Sequence, residues 1–274
     1  MPDRRTVFFV SDRTGITAEM LGNSLLSQFE DLNFQRVTIP FVDTPEKIDG
    51  ILQRIDEVGV LEGRRPLVFS SIVDEAMSAQ LGKANALVLD LFQVFIAPLE
   101  TELQAKSSHA AGRSHGIANS HEYFARIEAV NFAQAHDDGA STRDLSKAEV
   151  ILVGVSRCGK TPTTLYLALQ FGIRAANFPL TPDDFADKRL PASVRAYRER
   201  LFGLTIDPER LRKIRGERRP GSSYATLENC RYEVREAEQM MQREQITMLD
   251  TTTKSIEEIA TTIVHRAGLQ RHTY

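Results

Sequence analysis

The chain has 274 residues, 42% of them apolar and 26% charged, enough for one large or two modest domains at about 150 residues each and incompatible with disorder as its main state. Its 34 Lys and Arg against 37 Asp and Glu leave a net charge of −3, and its cysteines number 2. No global basic field therefore invites nucleic acid, and Cys158 and Cys230 make neither a disulfide framework nor a Cys-x-x-Cys zinc site. Among the predicted elements, Thr6 to Val10 is a short β-branched and aromatic strand, and Ser11-Asp-Arg-Thr-Gly-Ile-Thr leads from it into a helix over Ala18 to Phe29 with Met20, Leu21, Leu25 and Phe29 at helical spacing. Val37 to Val42 is a second strand, Pro45 to Val58 a helix, Pro66 to Ile72 a third strand, Asp74 to Lys83 a helix and Leu87 to Phe92 a strand. The periodic signal fades between Thr101 and Ser120, a loop, returns as a helix from Glu122 to Ala135, and breaks at His136 to Arg143. Glu149 to Gly154 is a fully apolar strand, followed by a glycine loop, a helix over Thr163 to Phe171, a strand over Ala175 to Leu180, a late strand over Ile246 to Asp250 and a helix over Ser255 to Ala267.

Strands alternating with helices imply parallel pairing. The expected architecture is α/β, with an N-terminal parallel-sheet domain over residues 1–145, a P-loop kinase-like domain over 146–274 and the site near their junction. Each half begins with a strand, a small polar loop and a helix, a pattern too general to imply duplication. Ala86 to Leu99, interrupted by Asp90, Gln93 and Pro98, is too short to cross a bilayer. No small-residue cleavage site follows the N-terminal run, so the expectation is a reduced, cytoplasmic protein that engages no membrane.

The stretch Gly154-Val155-Ser156-Arg157-Cys158-Gly159-Lys160-Thr161 matches G-x-x-x-x-G-K-[ST] in full, between an apolar strand and a helix as that motif requires. Glycines let such a loop curl until backbone N–H groups converge on phosphate oxygens, and the helix N-terminus adds its positive end. Lys160 would reach the terminal phosphates of a nucleotide, and the Thr161 hydroxyl would hold Mg²⁺. A strand-to-helix turn with incidental Gly and Lys is the structural alternative. Cys158 reads as a small loop residue rather than a reactive thiol.

Read with its surroundings, Val153 to Ala168 resembles the signature of the bifunctional kinase–pyrophosphorylase family that regulates phosphoenolpyruvate synthase and pyruvate, phosphate dikinase. Three further blocks resemble it: Val10 to Glu19, Tyr123 to Val130 running into His136-Asp-Asp-Gly139, and Leu249 to Glu258. Cys158 departs from the threonine common at that place, but a small residue is kept. The resemblance implies a serine/threonine kinase that uses ADP to phosphorylate, and so inactivate, a threonine beside the catalytic histidine of the target. It also implies the reverse by phosphorolysis, in which inorganic phosphate releases the phosphoryl group as pyrophosphate. The N-terminal block favours phosphoenolpyruvate synthase as partner, and the family picture implies a homodimer. A small-molecule kinase and a nucleotide-sensing module without transfer chemistry are the rival readings.

Other residues carry paired readings. Asp250, at a strand C-terminus, is a Mg²⁺ partner or base, or an N-cap of the last helix. Asp137 and Asp138 deprotonate the acceptor or hold a metal, or belong to a solvated turn with Gly139 as its left-handed residue. Arg157 steadies transferred charge or is a surface arginine. Ser11 to Gly15 is a second anion-binding helix start or a capped turn. His109, His115 and His121 recur at a spacing that fits no helical metal pair and read as loop residues. The basic run Arg210 to Arg219 docks an acidic face or a nucleotide, or is a solvated helix face.

Overall fold

The computed structural model describes residues 4–109, 120–139, 141 and 143–272, which form two compact units, residues 1–116 and 117–274. His115 and its neighbours in the predicted loop, 110–119, lie outside the described residues, as does the side chain of His121.

The first unit runs β1 (Arg4–Val10), α1 (Ile16–Leu26), β2 (Asn33–Ile39), α2 (Pro45–Glu62), β3 (Leu67–Ser70), α3 (Glu75–Leu81), β4 (Leu87–Asp90) and α4 (Gln93–Leu103). Its sheet has the order β2-β1-β3-β4, every pair parallel, with Phe8 opposite Val37 on one side and Val68 on the other. β1 is buried on both faces, which explains its unbroken apolar run. Phe8 and Val10 pack with Ile48, Ile51 and Ile55 of α2, whereas Val7 and Phe9 pack with Ala18, Leu26 and Phe69 on the other face. Each such burial is worth roughly 1.5–3 kcal/mol.

Two expectations for this unit fail. The buried face of α1 is Ala18, Gly22 and Leu26, while Met20 is 69% and Phe29 57% exposed. The small Gly22 wins because the rings of Phe9 and Phe69 leave no space above it for a side chain. Helix α4 was not expected at all; it carries Pro98 within it and buries no residue, so no amphipathic period announced it.

The second unit runs α5 (Ser120–Ala135), β5 (Val150–Gly154), α6 (Lys160–Phe171), β6 (Ala175–Pro179), α7 (Pro182–Asp187), α8 (Ala192–Arg195), β7 (Leu201–Thr205), α9 (Pro208–Arg218), α10 (Leu227–Arg243), β8 (Thr247–Asp250) and α11 (Ile256–Arg266). The sheet order is β6-β5-β7-β8, again parallel throughout. Its core gathers β5 with Leu167, Phe202, Leu204, Met241 and Ile263. α5 belongs here rather than with the first unit because Ala129 and Ala133 close against Ala168 of α6. The chain therefore divides before α5, ahead of residue 145. Among the described residues no helix is long and apolar enough to cross a membrane.

Candidate functional site

β5 is buried along its whole length and ends at Gly154. A Cβ at Gly154 would lie 2.3 Å from the Leu204 carbonyl oxygen, so only glycine lets the chain turn here against β7. The loop then enters α6 through Gly159, which is left-handed (φ 98°) and makes no side-chain cap. The N–H groups of Ser156, Arg157, Gly159, Lys160 and Thr161 donate to no acceptor among the described residues. Lys160 is only 4% exposed. Its Nζ donates to the Val155 carbonyl at 2.8 Å and meets no carboxylate among the described residues. Asp138, Ser156, Arg157, Gly159, Lys160 and Thr161 line a cavity of about 160 Å³. A buried ammonium, open amides and the positive end of a helix together make a place for an anion. Arg157 is exposed at a left-handed φ of 75°.

The acidic side of the site comes from the turn after α5. His136 is buried, with Nδ1 2.8 Å from the Phe132 carbonyl and Nε2 2.6 Å from that of Arg143, while its own carbonyl accepts from the Asn177 N–H at 3.0 Å. That clamp sets Asp137 and Asp138 over β6. Asn177, 1% exposed, donates through Nδ2 to Asp137 Oδ1 at 2.6 Å, to Thr161 Oγ1 at 2.9 Å and to Asp138 Oδ1 at 3.3 Å. Thr161 Oγ1 in turn donates to Asp137 Oδ1 at 2.8 Å. The Asn177 Oδ1 is buried without a partner. A hydroxyl and two carboxylates suit a hard cation such as Mg²⁺, which takes few protein ligands and fills its sphere with water and phosphate. The described residues hold no cluster of three or more His, Cys, Asp or Glu that would bind a metal unaided.

Asp250 stands at the same sheet edge, exposed, with Oδ1 accepting from the Thr252 N–H at 2.9 Å. It does not cap the last helix; Ser255 does, in a reciprocal pair with Glu258. Asp250 shares no hydrogen bond or ion pair with Asp137, Asp138 or Lys160 among the described residues. Its neighbour Thr251 is the structural link, its hydroxyl 3.0 Å from both the Cys158 and Thr205 carbonyls. Cys158 is fully buried, and burial pushes its thiol up against the pull of Lys160, which fits a passive packing residue.

A family model described as kinase/pyrophosphorylase matches residues 7–264. The chain belongs to that family. Relatives from Burkholderia multivorans and Paraburkholderia phytofirmans, each provisionally named a phosphoenolpyruvate synthase regulatory protein, are 58% identical over 269 residues, 98% of this chain and 99% of theirs. A relative from Burkholderia thailandensis with the same name is 57% identical over the same length.

In this member of the family the loop is braced by residues that sequence reading did not pick out. Arg215, fully buried on α9, donates through Nη2 to Glu233 at 2.6 Å and to the Ser156 carbonyl at 3.1 Å, and through Nη1 to the Tyr224 carbonyl at 3.1 Å. Its guanidinium stacks 4.0 Å from the centre of the Tyr224 ring, and the Tyr224 hydroxyl donates to Ser156 Oγ at 2.8 Å. The basic run Arg210 to Arg219 is thus neither wholly solvated nor wholly a docking face. A larger cavity of about 780 Å³ touches Glu149, Arg174 and Arg200, residues that precede β5, β6 and β7. It lies at the opposite sheet edge from the one where parallel sheets hold ligands. Its arginines are spent on the Ser146, Lys147 and Ala148 carbonyls and on Glu149.

Proposed function

We propose that the Gly154–Thr161 loop cradles the diphosphate of ADP and that the chain transfers the terminal phosphoryl group to a threonine of phosphoenolpyruvate synthase, in the cytoplasm, and removes it again with inorganic phosphate. The observation that carries this reading is Lys160, a buried ammonium without a carboxylate partner, set among amides without acceptors. Membership of the kinase/pyrophosphorylase family and the names of its relatives support this choice of reaction class and target.

In the forward direction the threonine oxygen attacks the β-phosphorus of ADP, the bond to the bridging oxygen breaks, and AMP leaves. Asp138, exposed at the rim of the cavity, takes the threonine proton. In the reverse direction an oxygen of inorganic phosphate attacks the phosphothreonine phosphorus, the threonine oxygen leaves and recovers its proton from Asp138, and pyrophosphate forms. Lys160, the open amides and Arg157 carry the charge that gathers on the transferred group. Thr161 and Asp137 would hold Mg²⁺, which supplies charge neutralisation to the phosphates when bound. Asn177 keeps those two side chains in register.

The test is incubation of the full chain with β-labelled ADP and phosphoenolpyruvate synthase in its phosphohistidine form. Label is expected on a synthase threonine, and subsequent addition of phosphate should release it as labelled pyrophosphate. Turnover of ATP on a metabolite with the synthase unlabelled would overturn the proposal in favour of a small-molecule kinase.

A further inference from the structure

The two sheets share one plan. In each, the first strand in sequence lies inside the sheet, its successor pairs on one side and the third strand pairs on the other: β2-β1-β3-β4 and β6-β5-β7-β8. The strand order therefore reverses between β1 and β3 in the first unit, as it does between β5 and β7 in the second. The crevice beyond the carboxyl ends of such a strand pair is where open α/β sheets bind ligands. In the second unit the proposed nucleotide loop occupies it. In the first unit the same place is taken by Ser11 to Thr17, which leads from β1 into α1.

That loop has the same chemistry. Gly15 is left-handed at φ 83° and precedes α1 without a side-chain cap, as Gly159 precedes α6. The N–H groups of Thr14, Gly15, Ile16, Thr17 and Ala18 donate to no acceptor among the described residues. A cavity of about 40 Å³ opens there, room for an ion of a few heavy atoms. An independent observation comes from the other side of the crevice. Ser71, just past β3, lines this cavity at 4% exposure, and its hydroxyl has no hydrogen-bond partner among the described residues. A hydroxyl on so buried a residue, open to the cavity beside unpaired amides and bonded to no protein group, is free to donate to an anion held there. Arg13 also lines the cavity and forms no ion pair or side-chain hydrogen bond among the described residues. The one carboxylate lining the cavity, Asp12, is turned to the backbone, its Oδ2 accepting from the Val73 N–H at 3.1 Å, and Asp43, which feels the charge of Arg13, is hydrogen-bonded to Lys47.

We infer that the first unit carries a second phosphate site, formed by the Thr14–Ala18 amides, Ser71 and Arg13, that takes inorganic phosphate or the phosphate of a phosphomonoester. This inference does not depend on the nucleotide reading of the second unit. Both offer the group an uncapped helix start, but only the second unit adds a buried lysine, so the first is suited to holding a phosphate rather than to transferring one.

The experiment measures phosphate binding to the full chain by equilibrium dialysis with labelled inorganic phosphate, in a Lys160→Ala background that weakens the second unit's loop. Saturable binding of phosphate is expected to persist in Lys160→Ala and to weaken roughly tenfold or more when Arg13→Ala is added, with a further loss on Ser71→Ala, as for removal of charge-assisted hydrogen bonds. Arg13 is exposed, so its replacement does not threaten folding. Competition by O-phosphothreonine identifies a phosphomonoester as ligand, and failure to compete identifies free phosphate. No phosphate binding in Lys160→Ala, or binding that Arg13→Ala and Ser71→Ala leave unchanged, would overturn the inference. Unimpaired ADP binding by Lys160→Ala would sink the nucleotide reading instead and leave this one standing.

Discussion

Asp137 and Asp138 are adjacent in sequence and differ in surroundings. Asp137 accepts from Thr161 and Asn177 through one oxygen, whereas Asp138 is exposed and left-handed (φ 48°) with a single 3.3 Å contact to Asn177. The freer carboxylate is the one that an incoming hydroxyl can reach. Asp138→Asn should therefore lower kcat for ADP-dependent phosphorylation by roughly 10²–10⁴ with little change in KM for ADP. An unchanged kcat would move the base elsewhere. Nothing local in the sequence joins Asp137 to Thr161; the link is Asn177, a polar residue in an apolar strand, and only the parallel register of β6 beside β5 brings it there.

Cys158 gives a residue-scale prediction about stability. Burial raises its thiol above the ordinary range, so the folded chain keeps a proton that the unfolded chain loses as the solution becomes alkaline. The unfolded state then binds fewer protons, and stability must fall as pH rises through and beyond the ordinary thiol value. Urea midpoints measured at neutral and alkaline pH should drop less in Cys158→Ala than in the wild type. Equal drops would mean that Cys158 ionises as freely folded as unfolded.

At the scale of elements, the pair Arg215–Glu233 ties α9 to α10 and, through the Ser156 carbonyl, ties both to the loop after β5. Arg215→Ala leaves a buried carboxylate unpaired and should cost about 3–5 kcal/mol, read from denaturant unfolding. Replacing both partners, Arg215→Met with Glu233→Met, should recover most of that stability and still raise KM for ADP, because the Ser156 carbonyl then loses its donor and only the Tyr224 hydroxyl still holds that residue. Recovery of KM along with stability would show that the pair braces the helices alone. Sequence pattern could not single out Arg215 from a run of arginines, since which one turns inward depends on where α10 packs. The elements that were legible, β1 and β5, are buried on both faces and therefore read as unbroken apolar runs. β7 is equally central and as long as β5, but it carries Gly203 and follows the polar turn Arg198–Arg200, so its pattern is diluted. The apolar stripe predicted for α1 misled because a glycine face, invisible to hydropathy, fits the Phe9 and Phe69 rings more closely.

For the whole molecule, the chemical question is how one chain could add a phosphoryl group from a diphosphate and remove it as a diphosphate. Within the second unit, one loop of open amides with one ammonium could serve both directions. On the proposed reading AMP would occupy the inner position in the forward step, and inorganic phosphate would take that position in the reverse step. Two consequences separate this shared cradle from a pair of distinct subsites. Lys160→Met should lower ADP-dependent phosphorylation and phosphorolysis together, each by at least roughly 10²; loss of the first with the second intact would refute sharing. Inorganic phosphate should also raise the apparent KM for ADP in the forward reaction, because the two ligands cannot occupy the same amides at once. Phosphate held only at α1 would leave that KM alone. Double-reciprocal plots at several phosphate concentrations distinguish the two patterns by whether their slopes rise more steeply than their intercepts.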